Sequence, residues 1–287
     1  MTQIPRISFI LSILCLCLLI SAPSNASSAE TPMILAIHPY LPVPELQRRF
    51  GPLADYLSRT LGRKVSIRIG GNYDEHIEAI GKNKVDIAFL GPAGYVKLVS
   101  DFGKKPLLAR FEVNNNPYLY GVIATRKGSK FKTLADLRNS NFAFGDPEST
   151  MSHLVPRYML IQAGIPHGTP AKYNFLGSHR NVALGILAGD YDAGAMKKEV
   201  FDEYKSQGLR ALAVTPGVPD HVFVARDNMP AKEITRLRHA LIQLADQPDG
   251  TRILHMMHKH LSRLVPAKTK DYDQLREMIH SVETTEK

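Results

Sequence analysis

The residues with the clearest chemical potential are the hydroxyl side chains that follow Gly145, in the run Gly145-Asp146-Pro147-Glu148-Ser149-Thr150-Met151-Ser152-His153. A helical pattern begins here, so Ser149 and Thr150 lie where the first backbone N–H groups of a helix have no intrahelical acceptor. The helix dipole adds partial positive charge, and such a position stabilises an oxyanion. A second glycine–serine turn, Gly177-Ser178-His179, opens another apolar helix. Two such turns in one chain predict a cleft that binds an anion.

Short apolar runs alternate with amphipathic patterns along the rest of the chain, which predicts an α/β protein. Leu46, Phe50 and Leu53 fall on one face of a helix. Pro230 is expected to begin a late helix, and the chain beyond it is expected to be mostly helical. The predicted strands are Met33–His38, Val65–Ile69, Asp86–Leu90, Pro106–Val113, Tyr118–Thr125, Phe142–Phe144, Lys172–Leu176, Tyr191–Met196, Leu209–Val214 and His221–Ala225.

Two polar or proline-rich connections divide this pattern into two lobes. The first is Arg126-Lys127-Gly128-Ser129-Lys130 and the second is Thr215-Pro216-Gly217-Val218-Pro219, each directly after a predicted strand. We expect the chain to cross into a second lobe at the first connection and to return at the second. The expected organisation is a signal peptide at residues 1–26, the first part of lobe 1 at 27–125, lobe 2 at 126–214, and the return to lobe 1 with C-terminal helices at 215–287.

The N-terminal residues have the pattern of a cleaved secretory signal. Arg6 precedes the apolar run Ile7–Ile20, and small residues follow, with cleavage expected after Ala26. The run has about fourteen residues, whereas a membrane-spanning helix needs roughly 20. Cys15 and Cys17 are the only cysteines, so the mature chain would form no disulfide. We therefore expect a periplasmic protein that does not span the membrane after cleavage.

The composition narrows the class of partner. A chain of 287 residues with 44% hydrophobic residues can bury one large core or two medium ones. Its 36 basic and 27 acidic residues give a net charge of +9, which favours anionic ligands or acidic surfaces. The chain has no tryptophan and no dense basic run, so a nucleic-acid partner is not expected. We expect a monomer.

Four motifs occur together and in a fixed order. They are Gly91-Pro92-Ala93-Gly94-Tyr95-Val96 after a predicted strand, Asp146-Pro147-Glu148-Ser149-Thr150, Gly177-Ser178-His179, and Gly189-Asp190-Tyr191-Asp192-Ala193-Gly194-Ala195. From about Met33 to Ala225 the chain resembles the phosphate, phosphite and phosphonate substrate-binding proteins of ABC transporters. The resemblance implies a type II periplasmic binding protein fold, in which two α/β lobes close on a small oxyanion. It also implies an ABC permease as partner, no cofactor and no bound metal.

The resemblance assigns roles to several residues. It implies that Ser149 and Thr150 hold phosphoryl oxygens and that His179 donates to one of them. Asp192 matches a pocket aspartate that accepts a hydrogen bond from a protonated P–OH group. Tyr40 and Tyr95 match positions of the first lobe that reach towards the ligand.

The loop departs from the family pattern after Thr150. The family often continues with Ser-Gly, whereas this chain has Met151-Ser152-His153. We expect Met151 to add bulk, Ser152 to restore a hydroxyl and His153 to add a donor. The preferred ligand would then differ from the familiar ones, and sulfate or another tetrahedral anion stays open.

The same residues also fit purely structural or catalytic roles. The hydroxyls of Ser149 and Thr150 are typical helix caps, and the two tyrosines could serve packing alone. Ser149, His179 and Asp192 have the residue types of a nucleophilic triad, but the chain has no Gly-x-Ser-x-Gly elbow, so we expect no enzyme activity.

Metal binding and signalling are two further functions that these residues could serve. A ferric site could use the tyrosines with His179 and Asp192, and His255, His258 and His260 could in principle hold zinc or copper. A loaded binding protein could also present its closed surface to a membrane sensor instead of a permease.

Overall fold

The structure is a computed structural model that describes residues 2, 31–165 and 172–285. Apart from Thr2, the predicted signal peptide lies outside the described residues. The described strands are β1 (Met33–Ile37), β2 (Val65–Ile69), β3 (Ile87–Leu90), β4 (Leu107–Val113), β5 (Tyr118–Leu119), β6 (Gly121–Arg126), β7 (Asn141–Phe144), β8 (Lys172–Phe175), β9 (Ala193–Lys197), β10 (Leu209–Val214), β11 (Val218–Pro219), β12 (Val222–Ala225) and β13 (Leu261–Val265).

The described α-helices alternate with these strands, as the sequence predicts. They are α1 (Val43–Leu61), α2 (Tyr73–Gly81), α3 (Pro92–Phe102), α4 (Val155–Gln162), α5 (His179–Ala188), α6 (Lys198–Tyr204), α7 (Ala231–Ile242), α8 (Gly250–Met257) and α9 (Asp273–Thr285). In α1 the face carrying Leu46, Phe50 and Leu53 is buried, because these side chains pack on the first sheet.

The first sheet has six strands in the order β13-β4-β12-β3-β1-β2. Strand β1 runs parallel to β2 and β3, whereas β12 runs antiparallel to β3 and β4. The residues before β12 therefore lie at the same edge as the carboxyl ends of β1 and β3. Strand β13, in the region expected to be helical, pairs with β4 and buries Leu261 and Leu264 in the core. The prediction of a mostly helical C-terminal region was wrong at this strand.

The second sheet has five strands in the order β10-β6-β9-β7-β8, with β7 parallel to β8 and β9. The predicted strand Tyr118–Thr125 is in fact two strands. Strand β5 pairs with β11 in a short ribbon, whereas β6 pairs with β9 and β10 in the second sheet. Placing residues 121–125 with the first lobe was therefore wrong. The chain changes sheets near Gly121, where an added Cβ would lie 3.0 Å from the Met151 carbonyl oxygen.

Four hydrophobic clusters cover the faces of the two sheets. One of these clusters contains residues of both lobes. Met151 and Val155, beside the second sheet, pack with Tyr272, which directly precedes α9, and with Leu275 of α9. The C-terminal helix thus contributes to the contact between the lobes. Among the described residues, no helix has the length and apolar character needed to cross a membrane.

A substitution at Gly194 tests how tightly the second sheet is packed. A Cβ at this position would lie 2.6 Å from Val182 Cγ1 and 2.7 Å from the Ala143 carbonyl oxygen. We expect Gly194→Ala to destabilise the protein by about 1–3 kcal/mol through overpacking, measured by urea unfolding. Gly51→Ala is the control, because a Cβ there meets nothing within 4 Å and alanine favours the helix. Equal stability of the two variants would contradict this packing.

Candidate functional site

The candidate site lies where the carboxyl ends of the parallel strands of the two sheets approach each other. Two contacts join the lobes there. The Ala93 N–H at the start of α3 donates to Thr150 Oγ1 at 3.0 Å, and Lys197 Nζ at the end of β9 lies 5.9 Å from the Tyr40 ring centre. In open α/β sheets, ligands bind outside the carboxyl ends of the strands. We call the set His38, Tyr40, His179, Lys197, Asp220 and His221 the cleft cluster.

The hydroxyl loop begins with a cap and a π-helical turn. Ser149 precedes the turn Thr150–Leu154, and its Oγ accepts a hydrogen bond from the Ser152 N–H at 3.2 Å. Ser149 therefore caps the turn, as the simpler interpretation of its position expects. The amides of Thr150 and Met151 begin the turn, and the first amides of a helical segment have no intrahelical acceptor. This loop can offer backbone donors to an anion.

Ser152 provides a buried hydroxyl in the same loop. The residue is 1% exposed, and its Oγ is a buried polar atom without a hydrogen-bond partner in the described part of the chain. Gly145 allows this position, because a Cβ there would overlap Ser152 Oγ. Gly177 N–H donates to the Gly145 carbonyl at 2.9 Å, which brings the two glycine turns together. An unpaired buried hydroxyl is unfavourable, so a ligand oxygen here would stabilise the protein.

His179 and Lys197 join the second turn to strand β9. His179 Nδ1 accepts a hydrogen bond from the Lys197 main-chain N–H at 3.1 Å. The neutral ring must therefore carry its proton on Nε2, which leaves Nε2 as a donor. Burial, followed by the charge of Lys197, lowers the pKa of His179 well below its usual value. The free Nε2–H could donate to a ligand oxygen, and this role of His179 stays a prediction.

Aromatic rings form the first-lobe side of the cluster. His38, directly after β1, stacks on Tyr40 with ring centres 4.6 Å apart and lies 5.5 Å from His221. His38 is 3% exposed, and both of its ring nitrogens lack partners among the described residues. Burial raises the pKa of the Tyr40 phenol to about 12, so this phenol stays a neutral donor.

Asp220 fixes the ring of His221. Its Oδ1 accepts from both the main-chain N–H and the Nδ1–H of His221, each at 2.6 Å. Burial acts to raise the pKa of the Asp220 carboxyl, but the interactions with His221 and the charge of Lys197 hold it below its usual value. Burial, followed by Lys197, lowers the pKa of His221. Between the two lobes, one carboxylate therefore faces an ammonium group and neutral imidazoles.

Comparison with known proteins identifies the family of this chain. A family described as "ABC transporter, phosphonate, periplasmic substrate-binding protein" matches residues 35–272. The chain belongs to this family. The match spans both sheets and the residues of the cleft cluster, and it confirms the resemblance seen in the sequence. The expected two-lobed fold with a ligand cleft is confirmed as well.

Relatives of known name cover most of the chain. It is 27% identical over 257 residues to the "Probable ABC transporter phosphite binding protein PhnD1" of Prochlorococcus marinus (strain MIT 9301), covering 81% of this chain and 84% of the relative. It is 27% identical over 297 residues to the "Phosphate-import protein PhnD" of Mycolicibacterium smegmatis, covering 91% and 92%. The P. marinus PhnD1 structure in complex with methylphosphonate has a TM-score of 0.76 at 22% identity, covering 88% and 98%.

Tyr95 does not lie in the cleft cluster. Its side chain is fully buried against Tyr272, with ring centres 4.6 Å apart, and its hydroxyl donates to Thr269 Oγ1 at 3.4 Å. The resemblance to the family predicted that Tyr95 reaches towards the ligand. The helix turns that side chain towards α9 instead, and the residue that meets the hydroxyl loop is Ala93, through its backbone.

Asp192 lies at the opposite edge of the second sheet. It precedes β9, its Oδ2 accepts from the Asn141 N–H at 2.9 Å, and its carbonyl accepts from Thr125 Oγ1 at 2.7 Å. Strand β9 separates it from Lys197 by about 16 Å at roughly 3.3 Å per residue. The structure does not bring Asp192 to the hydroxyl loop, and Asp220 is the carboxylate of the cluster.

The two unusual loop residues also point away from the cluster. The Met151 side chain is buried between the lobes, where its sulfur accepts from Thr215 Oγ1 at 3.5 Å, so its bulk does not enter the cleft. His153 Nδ1 lies 2.6 Å from the Pro147 carbonyl oxygen, and its ring packs edge-on against Phe144 and Phe175. Of the three residues that depart from the family pattern, only Ser152 reaches the candidate site.

Among the described residues, no group of three or more histidine, cysteine or acidic side chains is arranged to hold a metal ion. In the late helix region, His258 Nε2 lies 2.8 Å from Glu199 Oε2 of α6, so this histidine joins the two lobes.

The sequence interpretation missed His38, Lys197, Asp220 and His221. A usable pattern was present, because His38 follows β1, which runs parallel to β2 and β3, and Lys197 ends β9, which runs parallel to β7. Asp220 and His221 precede a strand, and only the antiparallel direction of β12 places them at that same edge. That direction could not be read from the chain.

Replacing Asp192 tests whether its carboxylate has a structural role or binds the ligand. We expect Asp192→Ala to reduce stability by about 1 kcal/mol, because the Asn141 N–H loses its acceptor, and to change anion affinity by less than about twofold. Isothermal titration calorimetry and urea unfolding would measure the two effects. A loss of affinity of about tenfold at unchanged stability would return Asp192 to the binding site.

Proposed function

We propose that this chain captures a small phosphorus oxyanion in the periplasm and delivers it to the permease of an ABC importer. The observation that carries the proposal is the contact between the hydroxyl loop and the first lobe, where Ser152 Oγ and both ring nitrogens of His38 are buried without a hydrogen-bond partner among the described residues. Both are buried polar groups that a tetrahedral oxyanion could satisfy. Family membership supports the same conclusion.

The arrangement provides hydrogen-bond donors of different kinds where the two lobes meet. The loop offers Ser152 Oγ and the first amides of the π-helical turn, and the second turn offers His179 Nε2. Lys197 adds a positive charge that Asp220 only partly offsets. Each hydrogen bond to a charged group contributes about 1.5–3 kcal/mol before the costs of desolvation and ordering, so a few of them give micromolar or tighter binding.

The same geometry favours binding without catalysis. Ser149 Oγ accepts from a backbone amide, and Asp192 lies at the far end of β9 from His179. These three residues therefore do not form the hydrogen-bonded series of a nucleophilic triad. We propose that closure of the two lobes on the anion is the event that the permease recognises, and that the protein acts as a monomer after removal of residues 1–26.

A thermal-shift screen of residues 27–287 tests the ligand class. The ligands are phosphate, phosphite, methylphosphonate, 2-aminoethylphosphonate, sulfate and ferric citrate. A bound ligand at about 100 times its dissociation constant adds about 2.7 kcal/mol to the free energy of unfolding. We expect at least one phosphorus oxyanion to stabilise the protein. Stabilisation by ferric citrate or sulfate alone would contradict the proposal, as would no response to any of the six.

Ser152→Ala tests the hydroxyl loop. Because Ser152 Oγ is buried without a partner among the described residues, its removal should leave the stability of the free protein unchanged or higher. The affinity for the oxyanion should fall by roughly tenfold, the effect of about one hydrogen bond.

Ser58→Ala is the matched control for this variant. Ser58 Oγ donates to the Ala54 carbonyl and accepts from the Val65 N–H, remote from the cleft cluster. This variant should lose stability and keep its affinity. If Ser152→Ala behaves in the same way, Ser152 is a structural residue and the loop does not hold the anion.

A further inference from the structure

The pair Asp220 and His221 has a geometry that the binding function described so far does not explain. Asp220 Oδ1 holds Nδ1 of the imidazole at 2.6 Å, and the ring stacks on Phe89 with centres 5.3 Å apart and planes inclined by 15°. Both contacts fix the direction of Nε2. A Cβ added to Gly91, the residue after β3, would lie 3.8 Å from this nitrogen. Nε2 therefore points along the carboxyl edge of the first sheet.

This fixed tautomer has a chemical consequence. With its proton on Nδ1 and donated to Asp220, the neutral imidazole presents only a lone pair at Nε2. A lone pair repels an oxyanion, whereas a protonated Nε2 donates to it. The ring can help to hold an anion only as the imidazolium, and the carboxylate of Asp220 stabilises that form.

We propose that His221 takes up a proton when the anion binds, and that Asp220 is the residue that positions the ring for this step. The inference rests on the proposed function, since it requires an anion in the cleft. The proton joins Nε2 and comes from solvent, and no bond other than N–H forms. Capture of the anion would then add one positive charge to the cleft cluster.

The groups around His221 explain why its protonation requires a bound anion. The titratable groups around His221 are Asp220 in its own segment, His38 and Tyr40 after β1, Lys197 at the end of β9, His179 at the start of α5, and His258 after α8. From β4, the uncharged ring of Phe111 faces His221. In the free protein, burial and Lys197 lower the pKa of His221, so its ring is neutral at neutral pH. A bound anion opposes the effect of Lys197 and raises that pKa.

Proton uptake by His221 makes the affinity for the anion depend on pH. A group whose pKa rises on binding gains a proton at pH values between its free and bound pKa. Affinity therefore decreases as the pH rises through this range, by up to about tenfold per pH unit for one proton. Protonation of the ligand itself also changes with pH, so the contribution of His221 has to be isolated by a variant.

Titration calorimetry in two buffers of different ionisation enthalpy counts the protons taken up per bound anion, with inorganic phosphate and methylphosphonate as probes. The wild-type protein is expected to take up more protons than His221→Gln, by up to about one. Asp220→Asn should reduce the uptake as well. His255→Gln, an exposed histidine of α8, is the matched control and should equal the wild type. Equal proton numbers for the wild type and His221→Gln would overturn the inference, whereas failure of both probes to bind the wild type would instead contradict the proposed function.

A second measurement needs no variant and holds even if His221→Gln does not fold. Nitrogen-15 NMR of histidine side chains distinguishes an imidazolium from each neutral tautomer. At about neutral pH we expect His221 to be neutral with its proton on Nδ1 in the free protein, and doubly protonated with phosphate or methylphosphonate bound. A neutral His221 ring in the complex would refute the proton uptake.

Discussion

Polar and charged groups buried between two lobes are stable only if each finds a partner, and this constraint governs the candidate site. The Asp220 carboxylate accepts two hydrogen bonds from His221. Nδ1 of His179 accepts one from the main-chain N–H of Lys197. Among the described residues, neither ring nitrogen of His38 nor the Oγ of Ser152 has a hydrogen-bond partner. A bound anion could supply the missing partners.

The hydroxyl loop and the first sheet contribute to this site by different means. The loop uses backbone geometry, since Gly145 lets Ser152 approach and Ser149 holds the π-helical turn in place. Single-turn π segments are frequent at functional sites because they redirect backbone groups. The first sheet instead uses rings, with His38, Tyr40 and His221 in mutual contact. The hydroxyl loop can recognise ligand oxygens through its fixed backbone dipoles. The rings beside the first sheet can change their charge by gaining or losing a proton.

The sequence predicted those parts of the protein that local patterns determine. The two glycine–serine turns were recognisable because capping needs particular residue types at particular places, and the structure brings these turns together through Gly177 and Gly145. Strand pairing was less accessible. Residues 121–126 join the second sheet and residues 261–265 the first, and both assignments depend on partners far along the chain. Asp192 and Tyr95 matched motif positions, but side-chain direction relative to distant elements decides whether such a residue reaches the ligand.

The first sheet joins strands from distant parts of the chain. Strand β1 begins at Met33, whereas β12 and β13 lie near the C-terminus, and α9 then covers the join between the lobes. A chain that emerges with its N-terminus first cannot complete this sheet until residues 261–265 have been synthesised. The second sheet is assembled from residues 121–214 alone, so it can form earlier. Folding is thus expected to proceed from the inner segment outwards, with the aromatic half of the site completed last, and such non-local pairing slows folding.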